Sequence, residues 1–250
     1  MSLLPINIHP SWDDFITDEI KEELVKIESK IGSNFVPKKE NVLRFMENDL
    51  MQVKCVWQGQ DPYYTMYIDK ETGEEIPVAN GRSFQPDLLR SWQDSFSQRS
   101  LQNIVRLIYK NYNNIENYED IKPFSKIRKE IASGEFKILP PYEWFNSLEK
   151  QGVLFLNTYF TTIGEGNVHR TIWTNFSREL LKYISLKNQN IKWFLWGSEA
   201  GDLDLFIEKG TIYKSNHPTF CSKKYENDFL KNNCFKDTMN EINWLGIQNN

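Results

Sequence analysis

Three polar residues stand where apolar runs stop, and together they could act on one planar ligand. Asp61 follows the run at residues 53–57, in the turn Gly59-Gln60-Asp61-Pro62-Tyr63. Pro62 fixes its own dihedral and biases Asp61 toward extended geometry, so the carboxylate rides on a stiff backbone, as a charge stabiliser or general base requires. The same residues also suit an Asx-turn closing a strand. Asn157 ends the run at residues 152–156. Its amide, with one acceptor and two donors, suits the imide or amide edge of a base, or equally a buried satisfied amide or a helix cap. His217 ends the run that starts at Thr211 and precedes Pro218. A neutral imidazole there could donate to an oxygen gaining negative charge, or could be an ordinary loop histidine. Phe84, among the turn residues of Gly81-Arg82-Ser83-Phe84-Gln85-Pro86, offers a ring for stacking on a base or a core anchor beneath a loop. Residues 219–224 bring hydroxyls and two lysines, suited to phosphate contacts or to a solvated loop.

These residues make one site only if the strands before them lie side by side. The runs at 53–57, 152–157, 191–196 and 211–216 read as four strands separated by helical stretches. That is the pattern of an α/β fold with three layers, a central four-stranded parallel sheet flanked by helices. Such sheets bind ligands at the carboxyl ends of their strands. One helix is expected over Ile16, Ile20, Leu24, Ile27 and Ile31, capped by Asp13 or Asp14 and stopped at Gly32. Another should start at Ser100 as cap, with Leu101, Ile104, Val105 and Ile108 on one face, and a further one at Thr174. Residues 66–78 read as a polar-tipped hairpin, and 111–122 as loop or frayed helix.

The 250 residues are expected to form a single domain, 1–250, with no linker and no repeat. Net charge is -4, so no global basic field exists and any nucleic-acid contact must use a local patch. The 3 Cys (Cys55, Cys221, Cys234) form no CxxC pair, and the 3 His show no ligand spacing. Neither a disulfide framework, a zinc site nor an iron–sulfur cluster is indicated. A reducing, intracellular compartment is the expectation. No apolar run approaches the roughly 20 residues of a membrane span, so no membrane partner is expected.

In order along the chain, these segments resemble the family-1 uracil-DNA glycosylases. Gly59-Gln60-Asp61-Pro62-Tyr63 is similar to that family's water-activating motif, and Gly81-Arg82-Ser83-Phe84 to its next motif. Ser100-Leu101 resembles the pair that touches a phosphate. Gln151-Gly152-Val153-Leu154-Phe155-Leu156-Asn157-Thr158 resembles the strand whose Asn reads uracil. Asn167-Val168-His169 with Trp173, and Phe194-Leu195-Trp196-Gly197-Ser198 with Ala200, are similar to later motifs. His217-Pro218-Thr219 resembles the start of the DNA-intercalation loop, and Cys234-Phe235 and Ile242-Asn243-Trp244 match positions near the C-terminus.

The resemblance implies excision of uracil from DNA by base flipping and hydrolysis of the N-glycosidic bond. It implies Asp61 and His217 as catalytic residues and Gln60, Tyr63, Phe84 and Asn157 as the uracil pocket, with Tyr63 excluding thymine. It implies Ser100, Thr219, Phe220, Cys221 and Ser222 as DNA contacts, and no metal or organic cofactor. The partners it implies are uracil-containing DNA, single- or double-stranded, and a proteinaceous glycosylase inhibitor, with the chain a monomer in the cytoplasm, at a nucleoid or at a viral replication site. Three departures stand out. Tyr64 occupies the place of the family's usual His, the excursion from Tyr64 to Gly81 is long, and Cys221 holds the place of the family's Leu wedge, with Phe220 one position off. They motivate an alternative, a catalytically weakened glycosylase-like DNA-binding or replication-associated protein. A small-molecule hydrolase built on Asp61 and His217 is a second.

Overall fold

The computed structural model describes residues 3–69, 72–164, 166, 168–198 and 202–247. Asn167 and Ala200, two of the resembling positions, lie outside them, as do Lys70 and Glu71 of the hairpin tip. The sheet has four strands: β1 (Cys55–Gly59), β4 (Val153–Asn157), β5 (Lys192–Trp196) and β6 (Thr211–Ser215). Their spatial order is β4-β1-β5-β6 and every pairing is parallel. The excursion after β1 forms the antiparallel hairpin β2 (Met66–Ile68) with β3 (Glu75–Pro77).

Side-chain alternation divides the core between the sheet's two faces. Cys55, Trp57, Val153, Phe155, Phe194 and Trp196 point to one face. There they meet α2 (Arg99–Tyr112), α3 (Phe124–Ser133) and α4 (Pro141–Lys150). Val56, Leu154, Leu156, Trp193 and Leu195 point to the other, against α1 (Asp18–Ile31) and α5 (His169–Lys187). Continuous apolar runs on β1 and β4 are what a sheet covered on both sides demands. The α/β three-layer expectation is met.

Three helix starts differ from expectation. Thr17, not Asp13 or Asp14, caps α1: its side chain accepts from the Ile20 amide at 3.4 Å. The two aspartates belong to the turn that follows the 3-10 helix at Pro10–Trp12. Ser100 is inside α2, which starts at Arg99 without a side-chain cap. Helix α5 starts at His169, and Thr174 lies within it, its hydroxyl donating to the Arg170 carbonyl at 2.8 Å. A mid-helix Thr can back-bond in this way instead of capping.

Candidate active site

The strand ends on the sheet's carboxyl side carry the polar residues. Asn157 is the last residue of β4, opposite Gly59 at the end of β1. Past the strands the two chains stay tied, with the Thr158 amide donating to Gly59 O and the Tyr159 amide to Gln60 O, both at 2.9 Å. A Cβ on Gly59 would come within 2.5 Å of Asn157 Oδ1 and 2.8 Å of Ser83 Cβ. Glycine is therefore required by the close approach of the amide, not by backbone twist. Ser83 in turn donates from Oγ to Trp57 O at 2.8 Å and so docks the Phe84 turn onto β1.

Phe84 has φ 62, a left-handed conformation unusual for a bulky residue and a form of strain that gathers at functional sites. Its ring rests on Trp196, with centroids 5.5 Å apart, and on Trp57 at 6.4 Å. Across the site it lies 6.4 Å from the His217 ring. The Tyr63 hydroxyl donates to the Phe84 carbonyl at 3.4 Å. Burial pushes the Tyr63 phenol up to about 12, a hydrogen bond with Ser100 offsetting part of the rise, so it stays neutral.

His217 follows β6. The Thr219 amide donates to its Nδ1 at 3.2 Å, so the neutral ring carries its proton on Nε2. Burial lowers its pKa below the ordinary histidine value, which favours that neutral form. The end of β5 clears space for it. Gly197, with φ 101, would place a Cβ 3.2 Å from His217 Cβ.

The Asp61 carboxylate accepts two hydrogen bonds at Oδ2 from the Arg170 guanidinium, from Nε at 3.1 Å and Nη2 at 2.6 Å. Arg170 lies in the first turn of α5, beside the buried His169. Nothing in the local spacing marks it as the partner of a residue 109 positions earlier.

Together Gln60, Asp61, Tyr63, Phe84, Ser100, Asn157, His217 and Thr219 line one cavity of about 200 Å³. That is smaller than the about 300–1,000 Å³ of drug-sized sites and suits a single planar ring. Thr219 also borders a polar groove of about 570 Å³, where Phe220, Cys221 and Ser222 face Arg99 and Arg106 of α2. The loop after His217 thus borders both the cavity and the groove. Phe220 is 70% exposed, whereas Cys221 packs on the core and its thiol donates to Pro218 O at 3.5 Å. The apolar group that projects is the phenylalanine, one position before the place where sequence register puts the wedge. Buried Asp228 holds this loop, accepting from the Ser222 amide at 2.6 Å, the Leu230 amide at 3.0 Å and the Tyr118 hydroxyl at 2.9 Å.

Among the described residues, no group of His, Cys, Asp and Glu could hold a metal ion, and no helix is long and apolar enough to cross a membrane.

No family model matches the chain. Curated relatives do. The uracil-DNA glycosylase of Francisella tularensis subsp. novicida (strain U112) is 28% identical over 223 residues, 84% of each chain. That of Francisella tularensis subsp. tularensis (strain WY96-3418) gives the same identity and coverage. Among solved structures, the mimivirus uracil-DNA glycosylase superposes with TM-score 0.60 at 25% identity, over 87% of this chain and 70% of its own. In sequence and in fold the chain is similar to uracil-DNA glycosylases, as a divergent relative. A tyrosine variant of the mimivirus enzyme, at 26% identity and TM-score 0.60, was solved in complex with UGI, and it covers 87% of this chain and 71% of its own. The Nitratifractor salsuginis UNG structure reaches TM-score 0.70 over 98% of this chain and 94% of its own at 16% identity, a likeness of fold. Beside those relatives, a carboxylate, an amide and an imidazole around one small cavity suggest a specific chemical reading.

Proposed function

We propose that this protein is a DNA repair enzyme that excises uracil from DNA by hydrolysing the N-glycosidic bond. The observation that carries the proposal is the convergence of Asp61, Phe84, Asn157 and His217 on one ring-sized cavity at the strand ends. The target base must leave the duplex stack, at a cost of a few kcal/mol. Phosphate contacts from Ser100, Thr219 and Ser222 hold the strand, and Phe220 fills the vacated space. Gln60 forms part of the pocket wall. Phe84 stacks on the extruded uracil, and Asn157 pairs with its imide edge. Cytosine presents the opposite donor pattern and would leave the buried amide unpaired, so it is rejected. Tyr63 excludes the methyl group of thymine.

Cleavage builds positive charge on the sugar and negative charge on uracil. Asp61 stabilises the first and orients water. His217 donates from Nε2 to the uracil oxygen that carries the second. Loss of either interaction costs on the order of a hundredfold or more in rate.

One chain supplies every group the cavity needs, which supports action as a monomer. Free Cys55, Cys221 and Cys234 support a reducing compartment, cytoplasmic, at a nucleoid or at a viral replication site. The UGI complex of the mimivirus relative supports a proteinaceous inhibitor as a further partner.

The test is release of free uracil from uracil-containing oligonucleotides, single-stranded and duplex, by wild type and Asp61→Asn. Release by wild type and its loss in the variant are expected. If both are inert while DNA is still bound, the chain is a binding module.

A further inference from the structure

We infer that Arg170 is a positioning residue for the Asp61 carboxylate, an inference that rests on the glycosylase reading. Arg170 does not line the cavity; Asp61 does. The guanidinium sets two bonds on one carboxylate oxygen, Oδ2, so turning that oxygen away would break both at once. Two N–H groups of one rigid guanidinium converging on a single oxygen fix the place of that oxygen more narrowly than a rotatable lysine ammonium does.

The base of the clamp is itself fixed. The Trp173 indole donates to Thr161 Oγ1 at 2.7 Å, and that hydroxyl lies 2.9 Å from His169 Nδ1. The Arg170 carbonyl accepts from Thr174, and the guanidinium carbon stands 5.7 Å from the centre of the Tyr159 ring. Tyr159 is bonded through its amide to Gln60, the residue before Asp61. The first turn of α5 and the turn after β1 are therefore locked into one unit around the carboxylate. A cation beside Asp61 also reduces the negative potential that the carboxylate offers a sugar cation. The clamp thus favours orientation at some expense of field strength, and its contribution is geometric.

The experiment is single-turnover uracil release with Arg170→Ala and Arg170→Lys, each checked for folding by thermal melting. Arg170→Ala should slow cleavage about a hundredfold, the scale of a misplaced catalytic group, while KM for the oligonucleotide stays within about threefold. Added guanidinium chloride should restore at least about tenfold of that loss, and sodium chloride at equal ionic strength should restore none. Arg170→Lys should remain roughly tenfold slow. In an Asp61→Asn background, Arg170→Ala should add nothing, since both changes act through one group.

A raised KM with unchanged cleavage would overturn the inference and make Arg170 a DNA contact. An unchanged or faster rate would overturn it as well. If Arg170→Ala does not fold, the lysine variant decides, and wild-type cleavage in it refutes the clamp. If Asp61→Asn itself leaves cleavage intact, the glycosylase mechanism fails; if only the Arg170 variants do, the clamp alone fails.

Discussion

The role proposed for His217 needs one protonation state and one tautomer, and its surroundings favour both. Burial lowers its pKa, so the neutral ring persists to a lower pH than an unburied histidine allows. Cleavage should stay level through neutrality and fall only well below about pH 6.5, the ordinary histidine value. Single-turnover rates across pH 4.5–8 (roughly the range histidine titrates) check this. A rate that climbs as the ring protonates would make His217 an acid, not a neutral donor. Gly59 is the second residue with a sharp expectation. In Gly59→Ala the new methyl must displace the Asn157 amide, which lies 2.5 Å from its position. Overpacking of this kind costs about 1–3 kcal/mol. Uracil release should fall by about a hundredfold with the chain still folded, and equal activity would mean that the amide has no fixed place. Asp61, Asn157 and His217 were legible because their motifs resemble those of a known family; their place just past predicted strands alone left an Asx-turn, a buried amide and a loop histidine open. Arg170 was not, because an ion pair across 109 residues leaves no periodic trace. Nor did the sequence announce the left-handed backbone of Phe84, whose neighbours Gly81 and Pro86 signal a turn but not which residue bears the strain.

At the scale of elements, the proposed function assigns the grip on DNA to the loop after His217. Its projecting side chain is Phe220, so Phe220→Ala should lower activity on duplex more than on single strands, as parallel assays would reveal. Cys221→Leu should instead crowd the core and lower stability without improving duplex activity. Asp228→Ala removes the acceptor shared by Ser222, Leu230 and Tyr118. Leaving buried donors unpaired costs about 1–3 kcal/mol, and each kcal/mol lowers Tm by roughly 2–4 °C in a chain of this size. An unaltered melting curve would show that the loop stands without this anchor. The four parallel strands were readable as runs that match a doubly covered sheet. Helix α3 lies in the largely polar stretch from Asn111 to Pro140 and buries only Phe124 and Ile127, too few for a clear period, while the buried face of α4, with Trp144, Phe145 and Leu148, spans barely more than one turn. The starts of α1 and α5 were misplaced because several capping residues compete within a few positions. Tertiary contacts settle that choice, as at His169, which is buried against Thr161.

For the molecule as a whole, burial lowers the pKa of both His169 and His217. The unfolded chain, with ordinary histidines, therefore takes up protons first as the solution is acidified. Stability contributed by these rings is present above about pH 6.5 and is lost as pH falls from there through their lower folded-state values. Urea midpoints at about pH 7.5 should exceed those at about pH 5.5, and His169→Gln should shrink the difference if it folds. A midpoint that did not move would contradict the burial of both rings. The order β4-β1-β5-β6 also sets what surrounds the cavity. β4 delivers Asn157, the turn after β1 delivers Asp61 and the segment after β6 delivers His217, while β5, lying between β1 and β6, is followed by Gly197 and sends no side chain in. That silence is structural. The binding chamber owes its room to a row of strands in which one member withholds a residue, and the histidine leans across the opening. A methyl group at that one seat would crowd the imidazole before any nucleotide arrived.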